Sequence, residues 1–281
     1  LRCQLKINEE IIMRHPKKMA CIFLSILALT ACDRTDSNQK KDSQVQKPEA
    51  KADVLPYLNI QEEKAKFAIP FCEKKNCHDI EIQTVQTADP WLNEWITQHL
   101  AIVVQDQIGS KQDLTLQQAV NAYVKKSDAW QAQFSKNKAY ALNMTTKIAS
   151  QRNQYVLLQI SVDSKQEGIT VKERQYFFVA DRKLKKGLSI TDVLNPTQKK
   201  YFNDLIQQEY QTWHKAQGVE TQKLAAKSLA WDQAEWFFDT EGIGLHYRAN
   251  QIAKDSTQLD IYLTKQQTQK MIKADVFQKM F

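Results

Sequence analysis

The chain has 281 residues, 42% of them hydrophobic and 25% charged, with 39 Lys/Arg against 32 Asp/Glu and a formal net charge of +7. That is apolar enough for a sizeable core, and the six glycines supply little of the close backbone approach that phosphate-cradling loops require. Three units of that net charge lie in residues 1–31, and the +4 that remains is too modest to read as a nucleic-acid surface.

Taken in order, the first feature is the apolar run from Ala20 to Ala31, preceded by Arg14, Lys17 and Lys18 and closed by Leu29-Thr30-Ala31-Cys32. A run of about a dozen apolar residues is too short for the roughly 20 of a spanning helix. Basic flank, short apolar core and small-residue cleavage site make residues 13–31 a lipoprotein signal peptide, with Cys32 the lipidation site. Residues 1–12 carry Glu9 and Glu10 and fit no such leader, so Met13 is expected to be the translation start. Acyl chains on Cys32 would hold the protein on the lipid bilayer, each buried methylene contributing about 0.8 kcal/mol. Asp33 after the lipidated cysteine favours the inner membrane in enteric bacteria. The expected place of work is the cell envelope, facing the periplasm.

Cleavage would remove five of the 39 basic residues and two of the 32 acids, leaving 34 against 30, a net of +4. It would also settle the cysteines. Cys3 and Cys21 leave, Cys32 is lipidated, and Cys72 and Cys77 remain as a pair in an oxidising compartment, which reads as a disulfide. A zinc site is the rival because His78 adjoins Cys77, but no second ligand pair at suitable spacing occurs. No metal or cofactor is expected.

Residues 32–53 are Lys, Gln, Asp and Ser with few apolar positions, a disordered tether. Residues 54–281 then carry the folded part, as one domain or as two packed subdomains, 54–135 and 136–281. Strands are expected at Lys66–Phe71 and Ile80–Val85, with the Cys72–Cys77 segment as the turn between them. Asp89-Pro90 predicts a capped helix start with Leu92, Trp95, Ile96, Leu100, Val103 and Val104 on one face. Thr115 with Gln118 predicts a capping box and a helix whose apolar stripe runs from Leu116 through Trp130 to Phe134. Strands follow at Tyr140–Ile148, Tyr155–Val162 and Val171–Ala180, the last two joined by Asp163–Gly168. Asn195-Pro196 opens a helix with Tyr201, Phe202, Leu205, Ile206, Tyr210 and Trp213 on its face and Gly218 as its stop. The end of the chain reads strand, strand, strand, helix: Trp236–Phe238, Ile243–Tyr247, Leu259–Leu263, and a capping box at Thr264 and Gln267. Clustered rather than alternating elements predict an α+β fold with a largely antiparallel sheet packed with helices.

Signals for catalysis are sparse. His78, His99, His214 and His246 are scattered, and no nucleophile elbow or phosphate loop occurs. Asp239 and Glu241 are the nearest to a catalytic carboxylate pair, yet they fall in an expected hairpin turn, where acids are common. Glu167-Gly168 stands in the same position.

The segment Lys186-Gly187-Leu188-Ser189-Ile190-Thr191-Asp192-Val193-Leu194, the run Trp236 to Tyr247, Gln251-Ile252-Ala253, and Leu259 to Leu263 come in an order that resembles one known family. It is the extracytoplasmic domain of the anti-sigma factor RsiV and of the peptidoglycan deacetylase PdaC. The family's Gly-Gly-Ala-His segment is missing here, and its Tyr-Glu-Ile-Ala-Pro-Tyr run is reduced to Asn250–Ala253. The resemblance implies an α+β binding domain whose partner is peptidoglycan or a lysozyme-like muramidase. The expectation is therefore a lipid-anchored binding protein and not an enzyme. The alternatives are a cell-wall glycan hydrolase or transferase, and a scaffold lipoprotein for another envelope protein.

Overall fold

The computed structural model describes residues 55–72, 76–248, 251–252 and 258–281; Cys32, Asp33 and the expected signal segment and tether lie outside them. The elements are β1 (Gln61–Lys64), β2 (Asp79–Gln86), α1 (Pro90–Asp106), α2 (Leu116–Gln133), β3 (Ala141–Arg152), β4 (Tyr155–Gln166), β5 (Ile169–Asp181), β6 (Lys186–Leu188) and the single turn α3 (Ile190–Val193). There follow α4 (Lys199–Ala216), α5 (Val219–Leu224), β7 (Glu235–Phe238), β8 (Gly242–Tyr247), β9 (Leu259–Thr264), α6 (Lys265–Met271) and α7 (Ala274–Met280). Strands β1 to β6 form one sheet in sequence order, and β7 to β9 form a second. Every pairing is antiparallel except β2 with β3, which the α1–α2 excursion makes parallel. The fold is α+β, as the clustering of elements predicts.

Local signals act as expected at the helix starts. The Asp89 carboxylate accepts from Leu92 N at 3.3 Å ahead of Pro90. Thr115 and Gln118 close a reciprocal capping box, and so do Thr264 and Gln267. Other expectations are corrected. The first strand lies at 61–64 rather than 66–71, and its register to β2 runs from Gln61↔Gln86 to Lys64↔Gln83. The backbone at 68 is instead held by the Gln117 side chain of α2, which donates to Ala68 O and accepts from Ala68 N. Cys72 and Cys77 therefore do not flank a turn between paired strands; the backbone is held on α2 at Ala68 and at Asn76. Phe134 and Tyr201 are exposed rather than on apolar faces. Gly218 takes ordinary extended backbone as the cap of α5, so it is not a left-handed stop for α4.

Two apolar cores lie on opposite faces of the same strands, because successive strand residues point to opposite sides. Val156, Leu158, Ile160 and Val162 of β4, with Tyr176 and Ala180 of β5, pack against α1 and α2. Tyr155 and Leu157, with Val179, belong to the other core, built with α4, β7–β9, α6 and α7. The boundary between the cores thus runs through the sheet rather than between residues 135 and 136.

The second core covers only one end of its face. Towards the other end, Asn143, Thr145 and Lys147 of β3 and Asp163 and Lys165 of β4 are exposed. The outer edge of β5, beyond the short β6, is closed by side chains. Gln258 accepts from Gln175 N at 3.4 Å, and Glu235 accepts from Phe177 N at 2.8 Å. Edge amides satisfied in this way are not offered to another strand.

Candidate functional site

The open end of the sheet is shaped by an irregularity in the β4–β5 hairpin. Val162 pairs with Arg174, but Ser164 pairs with Val171, so Asp163 faces two residues, Lys172 and Glu173, one of them surplus. Glu173 adopts φ 52°, a left-handed backbone that a non-glycine residue rarely takes. Bulges of this kind bend a strand and recur beside functional sites. The Asp163 carboxylate holds this one by accepting the Glu173 amide.

Beneath the bend lies a cleft of ≈ 210 Å³ lined from four strands. Register places its polar side chains in two cross-strand rows. Glu81, Asn143 and Asp163 form one row; Asp79, Ala141, Lys165 and Thr170 form the next. Lys172 joins from the bulge. Carboxylates dominate on β2, and ammonium groups stand on β4 and β5. The Glu81 carboxylate pairs with Lys64 at 3.2 Å on an exposed strand. Such a surface pair is worth about 0–1 kcal/mol and yields readily to a ligand.

The residues singled out from sequence are placed elsewhere. Asp239 is a turn residue: its Oδ1 accepts from Glu241 N at 2.7 Å, from Gly242 N at 3.1 Å and from the Tyr262 hydroxyl. Burial, reinforced by that bond to Asp239, pushes the Tyr262 hydroxyl pKa up. Three bonds on one oxygen make Asp239 a structural clamp between β7, β8 and β9. Glu167 accepts from the Tyr140 hydroxyl at 2.5 Å, at a two-residue turn in which Glu167 and Gly168 both have positive φ. Cys72 and Cys77 are joined by a disulfide with Cα atoms 5.7 Å apart. Gln131 of α2 donates to Asn76 O beside it at 3.1 Å.

His78, His99, His214 and His246 stay apart, and among the described residues no group of three or more His, Cys, Asp or Glu side chains is arranged to hold a metal ion. His78 does meet a serine and an acid: its Nδ1 lies 3.2 Å from Ser127 Oγ and its Nε2 3.3 Å from Asp128 Oδ1. Ser127 is fully buried and its hydroxyl accepts the Tyr140 amide at 2.8 Å. The trio anchors the start of β2 to α2, with the serine buried and the Asp128 carboxylate at the surface. Burial lowers the His99 pKa, and its Nδ1 sits 2.7 Å from Trp95 O. His246 lies against Asp260 on the neighbouring strand, Nδ1 to Oδ1 2.6 Å.

Sequence reading missed a charged hub that joins the two cores. Arg248, just after β8, places Nη1 2.8 Å from Asp106 Oδ2 and Nε 3.2 Å from Glu235 Oε1, with its guanidinium 4.5 Å above the Tyr176 ring. The Tyr176 hydroxyl donates to Asp106 at 2.6 Å. Burial raises its pKa to about 12, with Asp106 adding to the rise. Burial likewise raises the Glu235 pKa, against the opposing pull of Arg248 and the Phe177 amide. No local pattern announces this cluster, whose members are separated by up to 142 positions.

No protein-family profile matches the chain, and no curated protein matches it. Solved structures do. A DUF3298 family protein from Pseudomonas aeruginosa PAO1 superposes with a TM-score of 0.57 at 17% identity, covering 79% of this chain and 97% of that one. A member of the same family from Bacteroides fragilis NCTC 9343 gives a TM-score of 0.53 at 13% identity, with the same coverage. The chain shares the DUF3298 fold. At these identities the likeness extends to architecture and not to site residues.

Proposed function

We propose that this protein is a lipid-anchored binding protein of the cell envelope, and that the cleft on the open end of its sheet engages peptidoglycan. The observation that carries the reading is the cleft itself: an exposed, charge-bearing concavity under a strained bulge, on a face that the second core leaves bare. Three further facts support it. Leu29-Thr30-Ala31-Cys32 reads as a lipoprotein cleavage site, which supports an anchor on the outer side of a membrane. A disulfide suits that oxidising compartment. The fold is that of DUF3298 proteins, and the order of motifs from Lys186 to Leu263 resembles the RsiV and PdaC domains. Among the described residues no helix is long and apolar enough to cross a membrane, so the lipid on Cys32 is the proposed anchor.

Of the two partners that the resemblance implies, peptidoglycan suits a small cleft better than a muramidase does. A stable protein interface needs about 800 Å² from each side. We further propose that binding occurs without turnover, since Asp239 is engaged as a turn clamp and Ser127 is buried.

The test is co-sedimentation of the purified full chain with isolated sacculi, run beside an assay of lysozyme inhibition. Pelleting with sacculi and no inhibition is the expected result. Inhibition without pelleting replaces peptidoglycan by a muramidase as the partner, and neither effect refutes both. Release of soluble sugar or peptide from the sacculi would overturn the non-enzymatic reading.

A further inference from the structure

We infer that the cleft accepts a short peptide with a free ammonium group at one end and a carboxylate at the other. The inference rests on the reading of this cleft as the binding site and adds the chemistry of what enters it. Charge is sorted across the strands. Asp79 and Glu81 stand on β2, and Lys165 and Lys172 on β4 and β5. Strands lie about 4.8 Å apart, so the three steps from β2 to β5 span roughly 14 Å. An extended chain advances about 3.3 Å per residue, and three or four residues bridge that width.

The centre of the cleft fits the same occupant. Asn143 lies between the acidic and basic sides and carries both a donor and an acceptor, as a peptide bond does. No aromatic side chain lines the cleft, so the flat stacking surface that favours a sugar ring is lacking there. Lys165 and Lys172 make no ion pair among the described residues, and the acid opposite them, Glu81, is engaged only by exposed Lys64. The third carboxylate, Asp163, has one oxygen held by the Glu173 amide, and among the described residues it makes no ion pair with either lysine. The left-handed Glu173 backbone in the bulge keeps Lys172 over the cleft. The peptides that link glycan strands in peptidoglycan carry free amines and carboxylates of this kind.

The full chain is titrated calorimetrically with tetra-alanine bearing free ends, with its N-acetyl form, and with its C-terminal amide. Saturable binding of the free peptide is expected, weakened about two- to fivefold by capping either end, the range of one exposed ion pair. Glu81→Gln should weaken the free peptide and leave the N-acetyl form unchanged. Lys172→Gln should weaken the free peptide and leave the amide unchanged. Equal affinity for all three peptides, no saturable binding, or variants that act without regard to the cap would each overturn the inference. If sacculi pellet the chain while tetra-alanine fails to bind, the inference falls and the peptidoglycan reading stands; if sacculi also fail, both fall.

Discussion

Replacing Arg248 by Met keeps the aliphatic stem and removes the charge that joins the two cores. Three interactions go. The exposed side of the pair, to Asp106, is worth up to about 1 kcal/mol, and the cation–π contact with Tyr176 about 1 kcal/mol. The third is the larger. Glu235 is left buried without its counter-charge, and breaking a fully buried pair costs about 3–5 kcal/mol. Protonation limits that cost, because burial already holds the Glu235 pKa above the usual carboxylate range and loss of Arg248 raises it further. A loss of about 3 kcal/mol at pH 7.5 is therefore expected. The pH dependence has a defined sign. A native pKa above the unfolded one means that the native variant binds the extra proton, so its deficit shrinks as pH falls from 7.5 towards 5. Glu235→Gln should destabilise the wild type but recover, in the Arg248→Met background, the part of the loss that comes from the unpaired Glu235 carboxylate. Urea unfolding at pH 7.5 and pH 5 measures all four proteins. Equal deficits at the two pH values, together with additive single and double variants, would refute the role assigned to this pair.

The remaining predictions concern local devices. Asp192 accepts from Ser189 N at 2.8 Å and from Lys186 Nζ at 2.7 Å. Burial opposes its ionised form, but these bonds outweigh it and hold the pKa to about 2. Asp192→Asn should cost about 1 kcal/mol at pH 7, after allowance for solvent screening. Because the native pKa is depressed, that difference should fade as pH drops from near 4 to about 2; a constant difference in urea unfolding would contradict it. Gly244 lies opposite Phe237, and a Cβ there would meet the ring at 2.1 Å. Gly244→Ala should cost about 1–3 kcal/mol, and less once Phe237 is also Ala, as read by thermal unfolding of both. Reducing the Cys72–Cys77 bridge should cost about 2 kcal/mol, given its short loop. Unfolding with and without dithiothreitol tests that, and a loss of native circular dichroism on reduction alone would show the bridge to be essential.

Where structure departs from sequence expectation, backbone satisfaction explains the change. Residues 66–71 have strand-like composition, but Pro70 lacks a donor and the Gln117 side chain holds the Ala68 backbone, so pairing passes to 61–64. The loop expected at 163–168 tightens to Glu167-Gly168 because those two residues take left-handed backbone, and the strands run on to Gln166 and from Ile169. None of the cleft residues stood out in sequence. Asp79, Glu81, Asn143, Asp163 and Lys165 are ordinary solvent-side positions of alternating strands, and only register makes them neighbours.

Features with short-range signals were legible in the order of residues: the capped starts at Asp89, Thr115 and Thr264, the period-two strands, and the α+β class. The chain's leader-like first residues also carry the expectation of an anchor on Cys32. Packing of distant segments is what makes β4 and β5 serve two cores at once, brings Arg248 to Asp106 across 142 positions, and sets a bulge at Asp163 over a charged cleft. Caps and periodicity depend on neighbours three or four residues away. Register, shared faces and buried ion pairs depend on which distant strands come together, and that is settled by burying both faces of one sheet.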